Sequence, residues 1–569
     1  MSFFFGEETR PLAGSLHRSR LVATDTGVVI CNPFGIELLS CRRAVRHLAE
    51  RLAAVGIPAL RFDYDGTGES AGEETDPARL EAWLGSIQSA VDELVRVTGV
   101  TRVVLVGVRF GALLARLHAA RAKVDGLVLV ACPATGRAHL REQRTLESLR
   151  QGRNADDIRS TGEQLSGFFV PTEAIDALSA VDAETLPLAA PCDVLLATSD
   201  DPAAKEAKIR RGLSSASVTT SRTPGYADMM RDDPYKSVVP DALFGEIVDW
   251  IRTRSSPGTV AARAPVQATA RIETGSIAIR EEAVHFRGMF GVLSEPEAGS
   301  PPRRPAVLLL NIGANHRVGS GRLYVRLSRA FAEQGFVTLR FDRSGLGDSP
   351  ARPGMDENYV YAPYGTEDVV AAMDFLARMR GRDRFVLGGV CSGAYFSYYA
   401  ALADERVVSV LMMNLLTFWW TEGDSLEVRQ RQTFKSTRFY AKAAFELETV
   451  RRLLRGEVNV VPVLGELAHR GLAAAAAVLR SALDRDPVLR SFRALDARKT
   501  DVYLLFSDKD AGVDLIEKHL GIGASRMKRR KHFSMRLISG ADHTFLDPTA
   551  QERVKALLVQ HLVKLFGAA

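Results

Sequence analysis

The chain has 569 residues, 46% apolar and 25% charged, with a net charge of +6 and a pI near 9.0. That length points to two or more domains with sizeable cores, and the composition excludes a disordered or fibrous chain. Neither a run of about 18 apolar residues nor a nucleic-acid motif occurs. A membrane span and a nucleic-acid partner are therefore not expected.

MSFFFGEETRPLAG, residues 1–14, has no basic n-region and no long apolar core, so it is not read as a secretory leader. Cys31, Cys41, Cys132, Cys192 and Cys391 are scattered and form no C-x-x-C pair. They suit free thiols in a reducing cytoplasm, with no metal site and no bound cofactor expected.

Short apolar runs then alternate with helical segments. VVICN (28–32) reads as a strand, CRRAVRHLAERLAAVG (41–56) as a helix and IPALRFD (57–63) as a strand. ARLEAWLGSIQSAVDELVRV (78–97), TRVVLVG (101–107), FGALLARLHAARA (110–122) and GLVLVAC (126–132) continue the alternation. This pattern predicts a doubly wound parallel sheet. Residues 134–187 look helical, and VLLATSD (194–200) is a late strand.

The pattern then starts again. RFDYDGTGES (61–70) and RFDRSGLGDS (340–349) share R-F-D-x-x-G-x-G-[DE]-S at an offset of 279. The same offset places VVICN on VLLLN (307–311) and AAVGIPAL (53–60) on AEQGFVTL (332–339). GVRFG (107–111) matches GVCSG (389–393) at an offset of 282, and ADMMRDDP (227–234) matches ADHTFLDP (541–548) at 314. Two domains are expected, 1–255 and 272–569, joined by a linker over 254–271 that is rich in Ser, Pro, Ala and Thr. The second copy carries a longer insert over about 418–496, where a cap over the site is expected. The glycine-bearing turns DGTGES of the first copy and SGLGDS of the second lack the spacing of a phosphate loop and read as tight turns after a strand. The basic run SRMKRRKHFSMR (525–536) reads as a solvated surface.

G-x-C-x-G between a strand (384–390) and a helix (394–403) is the context of a nucleophile elbow, with Cys391 at its apex. An acid is expected just past the late strand VYLLFSD (502–508), and a base in the loop before the last helix. Asp510 or Asp508 supplies the first and His543 the second. The first copy has Arg109 opposite Cys391, Pro202 opposite Asp510 and Met229 opposite His543, whereas Asp508 has a counterpart in Asp200. The three positions lost together mark Cys391, His543 and Asp510 as the catalytic set, with Asp508 a structural cap. In that scheme His543 takes the thiol proton and Asp510 fixes its tautomer. The oxyanion hole comprises the backbone N–H of Ser392 and one from Ile312 or Gly313. Two alternatives are a structural Cys391 and a nucleophilic Ser392. Asn311, His316 and Arg317 form a polar loop that either binds substrate or orders itself, and Trp419 lies where the cap meets the site. Arg109 either binds an anion or pairs with a local acid.

Both halves resemble α/β-hydrolases of the exosortase-A-associated and serine-aminopeptidase-like kinds. In the first half the resemblance rests on FFFGEETRPLAGSLH, VVICNPFG and RFDYDGTGES. In the second it rests on FGVLSEP, LLNIGANHRVGSGRLYVRL, RFDRSGLGDS, GVCSGA and GADHTF. It implies two tandem α/β-hydrolase domains, each a doubly wound, mostly parallel sheet with a helical cap insert. It also implies a hydrolase, of a kind found beside polyketide, peptide and polysaccharide assembly genes. The expected activity is acyl transfer through a Cys391 thioester, from a small-molecule or carrier-protein-bound acyl substrate. The acyl group passes to water or to an alcohol or amine, with the first domain silent. A non-catalytic scaffold is the reading from another class.

Overall fold

The computed structural model describes residues 1–18, 23–151, 161–198, 203–231, 233–258, 264–275, 277–301, 303–421, 423–424 and 486–567. In the first half these form β1 (Ser2–Glu7), β2 (Arg10–His17), β3 (Thr26–Cys31), α1 (Gly35–Ala54), β4 (Ala59–Phe62), α2 (Arg79–Thr98), β5 (Arg102–Val108), α3 (Phe110–Ala119) and β6 (Gly126–Val130). There follow α4 (Gly136–Gln151), β7 (Gly162–Leu165), β8 (Phe168–Pro171), α5 (Thr172–Ser179), β9 (Asp193–Ala197), α6 (Ala203–Gly212), β10 (Ser217–Ser221), α7 (Tyr226–Met229) and α8 (Asp241–Arg252). The second half begins with β11 (Thr269–Glu273), β12 (Ala278–Phe286), β13 (Met289–Pro296), β14 (Ala306–Leu310), α9 (Leu323–Glu333), β15 (Thr338–Asp342), α10 (Gly365–Arg380), β16 (Phe385–Val390) and α11 (Ser392–Ala403). It ends with β17 (Val407–Met413), α12 (Pro487–Ala497), β18 (Asp501–Ser507), α13 (Gly512–Leu520), β19 (Phe533–Ile538) and α14 (Pro548–Phe566).

One sheet runs β1-β2-β4-β3-β5-β6-β9-β10 and the other β11-β12-β13-β15-β14-β16-β17-β18-β19. The second order repeats the first position for position, with β11 added at the edge. Within the first sheet, β1–β2 and β2–β4 are antiparallel and the other ladders parallel. Helices on both faces bury the central strands completely, so β3, β5, β14 and β16 read as unbroken apolar runs rather than alternating ones. The helices are amphipathic: in α2 it is Trp83, Ile87, Ala90, Leu94 and Val97 that are buried. Asp547 caps α14 by accepting the Ala550 N–H, with Pro548 in the first turn.

By compactness the chain divides into Met1–His285 with Phe290–Ala298 and Ala314–Val325, and Phe286–Met289 with Gly299–Gly313 and Arg326–Ala569. The division falls later than the expected linker. Thr24 and Phe4 form bridges with Pro257 and Gln267 respectively, so the linker's ends are stitched to the first unit. The first cap is not purely helical as expected: between α4 and α5 stands the antiparallel hairpin β7–β8. Residues 425–485 of the second cap lie outside the described residues. At its far end, α12 belongs to the helical layer, packing on β18, α11 and α13. No helix among the described residues is long and apolar enough to cross a membrane.

The turns after β4 and β15 have one design. Asp63 accepts the Glu69 N–H (3.0 Å), and Asp342 accepts the Asp348 N–H (3.0 Å). A Cβ on Gly68 or Gly347 would lie 2.1 or 2.3 Å from those carboxylates. These glycines serve a tight turn, as read from sequence.

The elbows are equally crowded. A Cβ on Gly111 would stand 2.0 Å from the Cys31 carbonyl oxygen, and one on Gly393 2.5 Å from that of Leu310. Gly111→Ala and Gly393→Ala should each destabilise their own half by about 2–4 kcal/mol, through backbone displacement. Denaturant unfolding monitored separately for the two halves checks this. Transitions matching the parent would show that the approach is not as close as described.

Candidate active site

Cys391 sits between β16 and α11 with φ 58° and ψ −113°, and Arg109 sits between β5 and α3 with φ 53° and ψ −117°. A non-glycine residue at such a φ is strained. It is held because its N–H reaches the end of the adjacent strand: Cys391 donates to Met413 and Arg109 to Val130, both at 2.9 Å. The elbow geometry is thus kept in both halves, although only one carries a nucleophilic side chain.

Cys391 is 5% exposed. His543 Nδ1 lies 2.6 Å from Asp510 Oδ2. The other Asp510 oxygen accepts the Gly512 N–H at 2.8 Å, which fixes the carboxylate at the start of α13. One edge of the His543 side chain reaches solvent, at 25% exposure, while its Nε2 is buried without a well-aligned hydrogen bond. Burial pulls the ring's pKa down, but hydrogen bonding to Asp510 and the proximity of Cys391 outweigh it and hold it well above the usual histidine range. Asp508 instead accepts the Gly540 N–H at 3.3 Å, in the turn before the histidine. Asp510, not Asp508, meets the imidazole.

Two residues overlooked in the sequence set the histidine loop. Asn414, at φ 43° just past β17, donates to the His543 carbonyl (2.7 Å) and to Ser507 Oγ (3.1 Å), and accepts the Ser507 N–H (2.8 Å). Ser507 Oγ donates to the Asp542 carbonyl at 2.9 Å. The corresponding residue in the first half is Ala131, also at positive φ. Comparing the repeats at this position is the signal that would have exposed Asn414.

The other expected site residues are placed differently. Ser392 is fully buried; its hydroxyl accepts the Gly313 N–H (2.9 Å) and donates to the Asn311 carbonyl (3.1 Å), so it is a structural clasp. The Gly313 N–H is engaged there, and Ile312, the other residue expected to supply an oxyanion donor, is buried. Asn311 donates to Asp342 (2.9 Å) and accepts the Arg343 N–H (3.0 Å), which ties the loop to the turn after β15. Arg317 is 2% exposed, doubly bonded to Glu69 at 2.6 and 3.0 Å and stacked on Phe290. His316 is buried beside it, its Nε2 2.6 Å from the guanidinium. All three side chains are engaged in hydrogen bonds within the chain. Trp419 is 44% exposed, against Phe418 and His519. It is Trp420 that stacks on Tyr361, at 4.2 Å, and the Tyr361 hydroxyl stands 4.0 Å from Cys391 Sγ. In the first half Arg109 binds Glu37 (3.0 Å) and Glu142 (2.7 Å), so it pairs with acids instead of awaiting an anion. Met229 is fully buried, and Asp200 and Pro202 lie outside the described residues.

A family model described as serine aminopeptidase, S33, matches residues 40–156, and one described as alpha/beta hydrolase family matches 307–557. The chain is 29% identical over 170 residues to the uncharacterized protein PA2218 of Pseudomonas aeruginosa, covering 27% of this chain and 44% of that protein. It is 36% identical over 86 residues to the uncharacterized protein YcjY of Escherichia coli, covering 15% and 27%. The chain thus spans less than half the length of these relatives. Among solved structures, Est1E from Butyrivibrio proteoclasticus bound to ferulic acid is similar at 17% identity and a TM-score of 0.34, over 44% of this chain and 97% of that one. Both halves of the chain carry the α/β-hydrolase fold.

Asn414→Ala should leave unfolding within about 1–2 kcal/mol of the parent while releasing the loop that carries His543. Nitrogen-15 NMR of the imidazole reads the second effect. The ring should titrate above the ordinary value near 6.5 in the parent, and Asp510→Asn should bring its titration down towards that value. An unshifted titration in Asp510→Asn would remove Asp510 from the account.

Proposed function

We propose that the second half is a hydrolase of esters or thioesters that works through a Cys391 acyl-enzyme, with His543 as proton carrier and Asp510 as its anchor. The observation that carries this reading is the 2.6 Å contact from Asp510 to His543, in the fold position that faces a strained elbow bearing a thiol. His543 Nδ1–H donates to Asp510, and Nε2 holds the proton that Cys391 gives up. The sulfur attacks the acyl carbon, a C–S bond forms, and the Ser392 and Ile312 N–H groups receive the oxyanion. The imidazolium returns its proton to the departing alcohol or thiol as that bond breaks. Water, deprotonated by the same ring, then cleaves the thioester and restores the thiol.

Tyr361, Trp420 and Tyr395 supply an aromatic wall beside the sulfur, which favours an acyl chain with apolar or aromatic character. A thiol nucleophile favours thioester donors, because exchange between thioesters is nearly isoenergetic. A carrier-bound acyl group in a biosynthetic assembly is the substrate class we infer, as the family resemblance implies. The first half, which lacks the thiol and the imidazole, is read as catalytically silent.

Incubation with p-nitrophenyl acetate and an acyl thioester should give a mass increment on Cys391 that clears in water. Cys391→Ala should abolish the increment, and His543→Ala should slow acylation by about 100-fold or more. An adduct that persists in water but clears on adding an amine or alcohol would reassign the protein as a transferase. No adduct, with Cys391→Ala indistinguishable from the parent, would leave only a scaffold.

A further inference from the structure

Tyr361 lies in the loop between β15 and α10 and is 4% exposed. Its ring is stacked on Trp420, with centroids 4.2 Å apart and planes 14° apart, and meets Tyr395 edge-on at 5.0 Å. Phe396 lies behind it at 6.3 Å, and the Arg343 guanidinium covers that ring at 3.9 Å. Arg343 also donates to the Val360 carbonyl at 3.0 Å, one residue before the tyrosine. The ring and the backbone that carries it are therefore both packed in place.

A buried hydroxyl needs a hydrogen-bond partner. Among the described residues the Tyr361 hydroxyl has one, Cys391 Sγ at 4.0 Å, within reach for an atom as large as sulfur. Burial and the adjacent thiol hold the phenol proton on, well above the ordinary range, so the hydroxyl is a donor. A thiol sulfur is a weak acceptor, and a thiolate, being charged, is a much stronger one. A donor at this point separates the two states.

The first half serves as a control. There the Asp65 N–H bonds Ser86 Oγ, as the Ser344 N–H bonds Asp368 in the second half. Ser86 and Asp368 are set apart by the same 282 positions as the two elbows. In that register Tyr361 falls on Arg79, which bonds Asp65 at 2.7 Å. Tyrosine and thiol are present together in one half and absent together from the other.

Taking Cys391 as the nucleophile, as proposed above, we infer that the Tyr361 hydroxyl is a second donor to its thiolate, beside the His543 imidazolium. The aromatic stack on Trp420 and Tyr395 keeps that donor aimed at the sulfur. The titratable side chains that reach the sulfur among the described residues are His543, backed by Asp510, and Tyr361; Tyr395 from α11 and Arg343 from the turn after β15 act on Tyr361. A donor to a thiolate raises the fraction ionised and lowers the reactivity of each ion.

The full chain is alkylated with iodoacetamide across a range of pH, and the rate is read at Cys391 by peptide mass. Tyr361→Phe keeps the ring and removes the donor. Its midpoint should move up by about one unit relative to the parent. Alkylation should then be about threefold slower on the acid side and about threefold faster on the alkaline plateau, so the two curves cross. Replacing Tyr361 with 3-fluorotyrosine, a stronger donor of nearly the same shape, should move the midpoint down. Curves unmoved in both variants would overturn the assignment. So would a uniform change of rate at every pH in Tyr361→Phe, the mark of a tyrosine that only shapes the site. Crossed alkylation curves on a chain that takes no acyl group from p-nitrophenyl acetate or an acyl thioester would uphold this donor while removing the acyl-enzyme reading.

Discussion

A single backbone position governs the architecture of each half: the residue between the central strand and the helix that follows it. At φ near 55° the chain reverses within one residue, which aims the side chain outward and the helix N-terminus at the same point. Such a conformation costs about 1–3 kcal/mol for a non-glycine residue. It survives in the first half, where no thiol gains from it. The strain is therefore set by packing and not by chemistry. Gly107 and Gly111 touch backbone within 2.4 and 2.0 Å of where a Cβ would stand, and the Arg109 N–H is bound to β6. Once the strand, the helix and their neighbour are in contact, no other geometry fits.

That constraint lets two halves with different residues at the elbow share one fold. An arginine in a partly desolvated corner needs partners. Arg109 is answered by Glu37 from α1 and Glu142 from α4. The places of Gly313 and Ser392 are taken by two phenylalanines, that of His543 by buried Met229, and that of Asn414 by Ala131. Each change turns a hydrogen-bonding demand into an ion pair or an apolar contact, and the set is coherent only as a whole. In the first half the corner is aromatic, with Arg109 paired to acids.

The alternation of apolar runs with helical segments made the doubly wound sheets legible, because parallel strands buried on both faces leave an unmistakable mark in the sequence. The elbow, Asp510 and His543 were legible through the repeat, since one half served as a control for the other. Less was visible where a residue's role depends on neighbours distant in sequence. Asn311 and Arg317 look free in the sequence, yet Asp342 and Glu69, respectively, claim their polar groups. Asn414 looks like any strand-end asparagine until its bonds to the His543 loop are seen. The hairpin β7–β8 is two four-residue strands in a polar stretch, too short for a period to register. Trp419 and Trp420 are adjacent, and only packing on Tyr361 tells the second from the first.

The charge state of His543 bears on why a sulfur stands at the apex. A ring held protonated by a buried carboxylate is a poor acceptor for a hydroxyl proton, because an alcohol gives up its proton only as attack proceeds. The same cation is a good counter-ion for a thiolate already formed. Asp510 is fixed by the Gly512 N–H, and the backbone of the His543 loop by Asn414. The environment that would handicap a serine thus suits a cysteine. The identity of the nucleophile and the rigidity of its partner's support are, on this reading, two parts of one electrostatic arrangement.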